Sequence, residues 1–459
     1  MKKFTVKPRY TPKNIISIGV TEGKESSWIS LGRLAEIGIP TSVRFDVGHP
    51  HVVAIFGKRG SGKSFTMGSI LEGLCTVEPE TCISNINQNE AILLLDTLGI
   101  FQWTDISLDE AIDSEILRAQ RATWRTWDLK SEKLDVQVWI PRGTRTEATP
   151  TSHREFAIRT SDFTADDWGY LLDLNIYQDR MGQLLNDAFI KVTLEGWYGT
   201  HGKKQPRAAY SIEDLLNCIK QDTELNDSYQ SETRRAVIQQ LTTYYRNPLF
   251  EDEGTPLAEM LSPGRMNVLV MSHLTGSLRL VILSALIRRL MDERMVASEI
   301  EKHLLIRNDL SIEDKTQIQD KLTSSIPHTW IALDEAQNIL PSDKKTTAGE
   351  MLIRYVREGR NYGLSFMVAT QQPTAIDSRL LAQVDTLITH KLTVQGDIDY
   401  VRRNLKSNLP QEVSFATHKL EFDSLIRSLD VGQALVSNTE ADRALILDIR
   451  PRISVHGGF

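Results

Sequence analysis

Val52-Val53-Ala54-Ile55-Phe56-Gly57-Lys58-Arg59-Gly60-Ser61-Gly62-Lys63-Ser64-Phe65 runs from five apolar residues straight into a glycine-spaced loop that ends on lysine and serine. The first five have the length and all-apolar texture of a strand buried on both faces. Beyond the loop, Met67, Ile70, Leu71 and Leu74 recur at i, i+3, i+4 and i+7, the spacing of one helix face. Strand, G-x-x-x-x-G-K-[ST] loop and helix in that order form a phosphate cradle. The glycines let backbone N–H groups turn inward, and the helix start adds the positive end of its dipole. The pattern alone arises by accident in roughly one or two chains per hundred of this length, so the flanking strand and helix decide against an incidental glycine turn. Gly57, Gly60, Ser61, Gly62, Lys63, Ser64 and Phe65 are the expected phosphate-binding residues. Lys63 is expected to bridge the outer phosphates, and the Ser64 hydroxyl to ligate Mg²⁺.

Hydrolysis of a bound triphosphate needs an acidic element, and Trp330-Ile331-Ala332-Leu333-Asp334-Glu335 supplies one at the end of a second apolar run. Asp334 is expected to hold the magnesium through water, and Glu335 to take a proton from the attacking water as general base. Standing alone, such a pair also suits the start of a helix, where acids favour the dipole; the upstream loop favours the catalytic reading. A third run, Leu364 to Ala369, ends in Thr370-Gln371-Gln372-Pro373. If it lies beside the Asp334 strand, Thr370 and Gln371 reach the outer phosphate and Gln371 acts as its sensor; otherwise these are polar turn residues. Just upstream, Arg354, Arg357 and Arg360 fall close together on a helical stretch, a pattern usual for a solvated face. The glycines around Arg360 allow a different use, a guanidinium presented from a helix end to the phosphate of a neighbouring subunit. Such a finger is worth roughly 10³ to 10⁵ in turnover in other phosphoryl-transfer enzymes.

Further apolar runs at Ala91 to Leu95, Asn267 to Met271, Thr386 to His390, Gln433 to Val436 and Ala444 to Ile449 alternate with polar loops and helical periodicity. That alternation is the α/β signature. The expected fold is therefore an α/β P-loop NTPase (RecA/ASCE-like) with a mainly parallel central sheet, a helical insertion and a short N-terminal β segment. Residues 1–47 are read as that segment, a reduced barrel or arm, 48–104 and 266–459 as the ATPase core, and 105–265 as the insertion. Within the insertion, 136–140 reads as a strand and 178–192, 211–221 and 231–246 as helices, with Ser211 and Asp214 spaced as a capping box. Residues 306–326 are polar and read as a loop or an exposed helix.

With 459 residues the chain has two to four domains' worth of material at roughly 150 residues per domain. Hydrophobic and charged fractions of 41% and 25% exclude disorder over most of it. A net charge of −7 argues against a protein coated all round with positive charge, so any nucleic-acid contact must be local. The three cysteines, Cys75, Cys82 and Cys218, form neither a C-x-x-C pair nor a zinc pattern. No apolar run is long enough to span a membrane, and the start lacks an apolar leader, so the expectation is a soluble, cytoplasmic protein without a membrane partner. Lys2, Lys3, Lys7, Arg9 and Lys13 read as a solvated terminus or a small basic arm. Arg118, Arg121 and Arg125 share a helical face with Trp124 and Trp127, and together with Arg142 and Arg145 they are candidates for nucleic-acid contact or for an exposed or protein-binding surface.

In order along the chain, the Gly57-to-Ser64 loop, Asp334-Glu335, Gly359-Arg360-Asn361-Tyr362-Gly363 and Ala369-Thr370-Gln371-Gln372-Pro373 resemble the HerA/FtsK group of P-loop ATPases, and HerA most of all. Asp96-Thr97-Leu98-Gly99-Ile100-Phe101 and the end Arg450-Pro451-Arg452-Ile453-Ser454-Val455-His456-Gly457-Gly458 are similar to HerA stretches as well. The resemblance runs from about residue 45 onward. It implies a homohexameric ring that threads double-stranded DNA, hydrolyses ATP with Mg²⁺ between subunits and works beside a nuclease. In bacterial defence systems it implies a separately encoded effector, either a nuclease or a sirtuin-like NAD-consuming protein. It assigns phosphate and metal roles to Lys63 and Ser64, magnesium and base roles to Asp334 and Glu335, sensing to Gln371, and the trans finger to Arg360 with Arg357 second. HerA proteins usually carry a larger N-terminal β-barrel and small residues where this chain has Lys58 and Arg59. An ATP-binding ring that assembles an effector with little translocation is the alternative. A conjugation or packaging motor, usually with membrane helices, is a further rival.

Overall fold

The computed structural model describes residues 15–19, 27–35, 41–200, 202–307, 309, 311–405, 412–415, 418–439 and 443–458. The basic residues Lys2 to Lys13 lie outside them. One sheet organises the chain, with strands β1 (Ile15–Ile18), β2 (Trp28–Leu34), β3 (Ser42–Asp46), β4 (Val52–Phe56), β5 (Ser84–Asn85), β6 (Glu90–Asp96), β7 (Val136–Pro141) and β8 (Arg154–Phe156) from the first half. The second half adds β9 (Met266–Val270), β10 (His328–Leu333), β11 (Leu364–Thr370), β12 (Thr386–Thr389), β13 (Gln433–Asn438) and β14 (Arg443–Ile449). Their spatial order is β1-β3-β2-β14-β13-β12-β4-β11-β10-β6-β9-β7-β8, with β5 against β2. From β12 to β8 every pairing is parallel, and the turn to antiparallel pairing comes at β12 and β13.

Parallel strands covered on both faces must be apolar on both, and β4, β10 and β11 are. Side chains alternate across the sheet: Val53, Ile55, Ile92, Leu94, Trp330, Ala332 and Met367 enter one core with Met67 and Ile70 of helix α1 (Lys63–Leu74). Ala54, Phe56, Leu93, Leu95, Ile331, Leu333 and Phe366 enter the other, packed by helices Gly276–Ile306 and Thr347–Glu358.

The sheet does not stop at residue 104. β7 pairs in parallel with β9, and β8 extends that edge, so two strands of the 105–265 stretch belong to the central sheet. Around them the stretch is helical. Ser211 and Asp214 form the capping box expected of their spacing, and Thr164 with Asp167 form another ahead of Ala165–Leu172. At the other side β1 to β3 join the same sheet through β14. Ile312–Thr323 is a helix without a buried residue, as the polar composition of 306–326 allowed.

Candidate nucleotide-hydrolysis site

Three parallel strands bring the motif residues to one edge of the sheet. β11 lies between β4 and β10, so the loop after Phe56, the Thr370-Gln371 end and the Asp334-Glu335 end sit side by side at the carboxyl ends of their strands. Open α/β sheets take ligands at that edge. The placement of β11 beside the Asp334 strand is the condition on which Thr370 and Gln371 could take part.

The loop keeps its shape for local reasons. Gly62, at φ +110°, adopts a backbone that other residues rarely enter, and it opens α1. A side chain at Gly57 would place its Cβ 2.7 Å from Cβ of His390, so only glycine lets the loop lie on that histidine. His390 is buried beneath it. Its Nδ1 meets the Gln433 carbonyl at 2.8 Å, a contact that requires the proton on Nδ1, and Nε2 then accepts from the Thr66 hydroxyl at 2.9 Å. Burial first, and the charge of Lys63 as a lesser cause, hold the imidazole pKa down to about 4.

Lys63 lies buried along the loop, its Nζ donating to the Lys58 carbonyl at 3.2 Å. Burial lowers its pKa, while the carboxylates of Glu335 and Asp334 act in the opposite sense. Ser64 Oγ donates to Asp334 Oδ2 at 2.9 Å. A hydroxyl and a carboxylate placed this way are the oxygen donors a small hard cation takes. Burial is also the main reason that Asp334 is pushed up to about pKa 6, with the Ser64 hydrogen bond opposing it.

Glu335 stands at φ 51°, ψ 48°, a left-handed conformation that costs a non-glycine residue about 1 kcal/mol or more and recurs at functional sites. Its two oxygens are held by two amides. Gln371 Nε2 donates to Oε1 at 2.5 Å and Gln337 Nε2 to Oε2 at 2.6 Å; Thr370 Oγ1 fixes Gln337 by donating to its Oε1 at 2.7 Å. Gln337 escaped the sequence reading, although it lies only two residues beyond Glu335.

Lys63, Ser64, Phe65, Glu335 and Gln371 all line one cavity of about 820 Å³, large enough for a nucleotide-sized ligand. Arg59 lines it too, whereas the Lys58 side chain is exposed and contributes its carbonyl. Much of the remaining wall was not foreseen. Leu98 and Ile100 come from the loop after β6, which Asp96 closes by accepting the backbone N–H groups of Gly99, Ile100 and Phe101 at 2.8 to 3.1 Å. Thr123 and Trp127 come from the end of helix α2 (Glu115–Thr126), where the Arg33 guanidinium lies 4.3 Å over the Trp127 ring. Pro451, His456 and Gly458 add to the wall beside Val431, Gly432, Asp448 and Ile449, and the His456 ring meets Phe65 edge-on at 5.6 Å. That last segment is anchored by Glu72 of α1, fully buried, which takes Arg452 Nε at 3.0 Å, Arg450 Nη1 at 3.4 Å and the backbone N–H groups of Ile453 and Ser454.

The arginines fare differently. Arg360 lies at the opposite edge of the sheet, its Nη2 3.0 Å from Asp385 Oδ2, with Asp385 in turn accepting from the backbone N–H of Val52 where β4 begins. The length of β4, about 16 Å, therefore separates it from the cradle of its own chain. Arg357 is exposed. Arg118 and Arg121 both pair with Asp113, and Arg121 also bonds the carbonyl of Leu108, so they brace the turn before α2. Arg142 pairs with Glu251 and Arg145 with Glu155.

The family model described as "Helicase HerA, central domain" matches residues 29–290. The chain is similar to the protein named DNA double-strand break repair helicase HerA of Pyrococcus furiosus, 24% identical over 223 residues, 48% of this chain and 37% of that one. It is similar to the protein of the same name of Saccharolobus solfataricus, 23% identical over 266 residues, 55% of this chain and 45% of that one. The chain thus spans less than half the length of these curated relatives. Among solved structures, VirB4 of Thermoanaerobacter pseudethanolicus superposes with a TM-score of 0.51 at 13% identity, covering 94% of this chain and 98% of that one, a likeness of fold. No helix among the described residues is long and apolar enough to cross a membrane.

Proposed function

Because this chain belongs to the helicase HerA central-domain family, we propose that it is an ATPase whose turnover drives a homohexameric ring along double-stranded DNA. The observation that carries the reading is the convergence of Lys63, Ser64, Glu335 and Gln371 on one cavity at the carboxyl edge of the sheet, with Asp334 bonded to Ser64 behind them. The donors fit the ligands: inward-turned backbone and Lys63 for phosphates, the Ser64 hydroxyl and Asp334 carboxylate for Mg²⁺. When bound, Mg²⁺ neutralises charge on the outer phosphates. Lys63 leaves the Lys58 carbonyl for a phosphate oxygen, Glu335 takes the proton of the attacking water, and Gln371 couples the position of Glu335 to the outer phosphate. Arg360, with Arg357 beside it, completes the site of the next subunit around the ring. The ring works with a separately encoded nuclease or sirtuin-like effector in DNA end processing or anti-phage defence. ATP hydrolysis stimulated by duplex DNA, weakened by salt and abolished in Lys63→Ala is the expected result; hydrolysis indifferent to DNA would overturn translocation.

A second reading, a nucleotide-switched ring that assembles an effector with little movement on DNA, draws support from one observation. Arg118, Arg121, Arg142 and Arg145 are all paired with carboxylates of the same chain. The two readings part if the effector needs the ring but tolerates Glu335→Gln.

A further inference from the structure

At the edge of the sheet opposite the cradle, β3 ends on Asp46 and the chain turns through His49 and His51 into β4. One ligand atom from each of these three residues lies within 4.8 Å of the others. Asp46 Oδ1 and His49 Nδ1 are 3.4 Å apart, and two ligands on one tetrahedral zinc, each bonded at about 2.0 to 2.1 Å, sit about 3.3 Å apart. Asp46 Oδ1 also accepts the Gly48 N–H at 2.8 Å, which leaves it further lone-pair capacity.

His51 supplies the second observation. Its side chain is fully buried, and Nε2 has no hydrogen-bond partner among the described residues. A buried polar atom left alone costs about 1 to 3 kcal/mol, a cost that a cation on Nε2 would remove. The other ring nitrogen, Nδ1, lies 3.3 Å from Asp385 Oδ1. A carboxylate there places the proton on Nδ1 and leaves the Nε2 lone pair free. Metal-ligating histidines have this arrangement, in which a carboxylate behind the ring fixes its tautomer and raises its basicity. Asp385 is itself held by the Val52 N–H at 2.9 Å, the Thr386 hydroxyl at 2.9 Å and Arg360 at 3.0 Å.

We propose that Asp46, His49 and His51 bind a divalent transition-metal cation of the zinc type, with Asp385 as the positioning residue behind His51. Two imidazoles and one carboxylate select a borderline-soft cation over magnesium, which prefers an all-oxygen shell such as Ser64 and Asp334 offer. Three protein ligands leave a fourth tetrahedral position to water. The cation ties the end of β3 to the start of β4, joining the N-terminal strands to the strand that carries the phosphate loop. None of the three proposed ligands belongs to the nucleotide site of the same chain; the one shared group is Asp385, which also holds Arg360.

The test is Zn²⁺ content and Co²⁺ binding of the 459-residue chain, stripped by chelator and then dialysed against either metal without Mg²⁺ or nucleotide. One cation per chain is expected, kept in Lys63→Ala and in Cys82→Ser, which removes the exposed thiol. His49→Ala, on the partly exposed rim, should lose at least tenfold in affinity while keeping its circular dichroism. Asp46→Asn should do the same. Asp385→Asn should weaken binding about 10- to 100-fold with the same stoichiometry. A wild-type chain holding no Zn²⁺ or Co²⁺, a folded His49→Ala that binds as tightly as wild type, or loss of the cation in Cys82→Ser would each overturn the assignment.

Discussion

Glu335 and Gln371 are joined by a hydrogen bond of 2.5 Å, and Gln337 occupies the other carboxylate oxygen, so the general-base candidate is oriented by two amides before any water approaches. A base must offer a lone pair to the water it deprotonates. Each Glu335 oxygen accepts one amide bond and keeps lone-pair capacity for a water; a turn of the Gln371 amide toward an outer phosphate would make the pair a switch between resting and cutting states. Glu335→Gln should keep nucleotide affinity and lower turnover by roughly 10² to 10⁴. Gln371→Ala should lower it by about 10- to 100-fold through misplacement of the carboxylate. Phosphate release together with fluorescent-nucleotide binding separates the two effects, and a Gln371→Ala chain as fast as wild type would remove the switch.

Acid should loosen the cradle through His390. Its pKa is held at about 4 in the fold against an ordinary 6.5, so between those values the folded state binds fewer protons than the unfolded chain. Stability from this residue is present above pH 6.5 and is lost as pH falls through 6.5 toward 4, a contribution on the order of 3 kcal/mol. Urea midpoints at pH 7.5 and pH 5 should diverge in the wild type. In His390→Gln, which keeps a donor and an acceptor but does not titrate, the divergence should shrink; an unchanged gap assigns the acid sensitivity elsewhere.

The strands and the cradle were legible because parallel strands are apolar on both faces and leave an unbroken run, and because the phosphate loop is a contiguous word. Val52–Phe56 and Leu364–Thr370 appear in the fold where their runs lay. The rest of the cavity wall, beyond the phosphate loop, Glu335 and Gln371, was not legible. Trp127, Ile100 and His456 come from three separated segments, and only the fold sets them around one space. Arginine spacing misleads for a related reason, since charge on a helix face says nothing of the carboxylate it will meet. Arg121 fits a nucleic-acid stripe by spacing, yet its guanidinium is spent on Leu108 and Asp113.

Glu72 links the phosphate-loop helix to the segment that ends the cavity wall. It is fully buried between Arg450 and Arg452, so Glu72→Gln leaves two buried guanidinium charges uncompensated, a loss of about 3 to 5 kcal/mol. Because Pro451, His456 and Gly458 line the cavity, nucleotide affinity should fall along with stability. Limited proteolysis should then cut within 450–458 first. A variant with wild-type melting and binding would show that the network is dispensable.

Arg360 and Asp385 set the condition for a finger acting in trans. Arg360 points away from the cradle of its own chain and is held at the base of the sheet, so it can serve only a phosphate on a chain packed head to tail beneath it, as ring-forming heterologous interfaces allow. Arg360→Ala and Lys63→Ala should each be inactive alone. Mixed in equal amounts, about one quarter of the interfaces combine an intact Lys63 from one variant with an intact Arg360 from the other. Phosphate release should therefore recover toward that fraction of wild type. No recovery at any ratio would exclude Arg360, and an Arg357→Ala chain that is inactive alone but rescued by Lys63→Ala would move the role to that exposed neighbour.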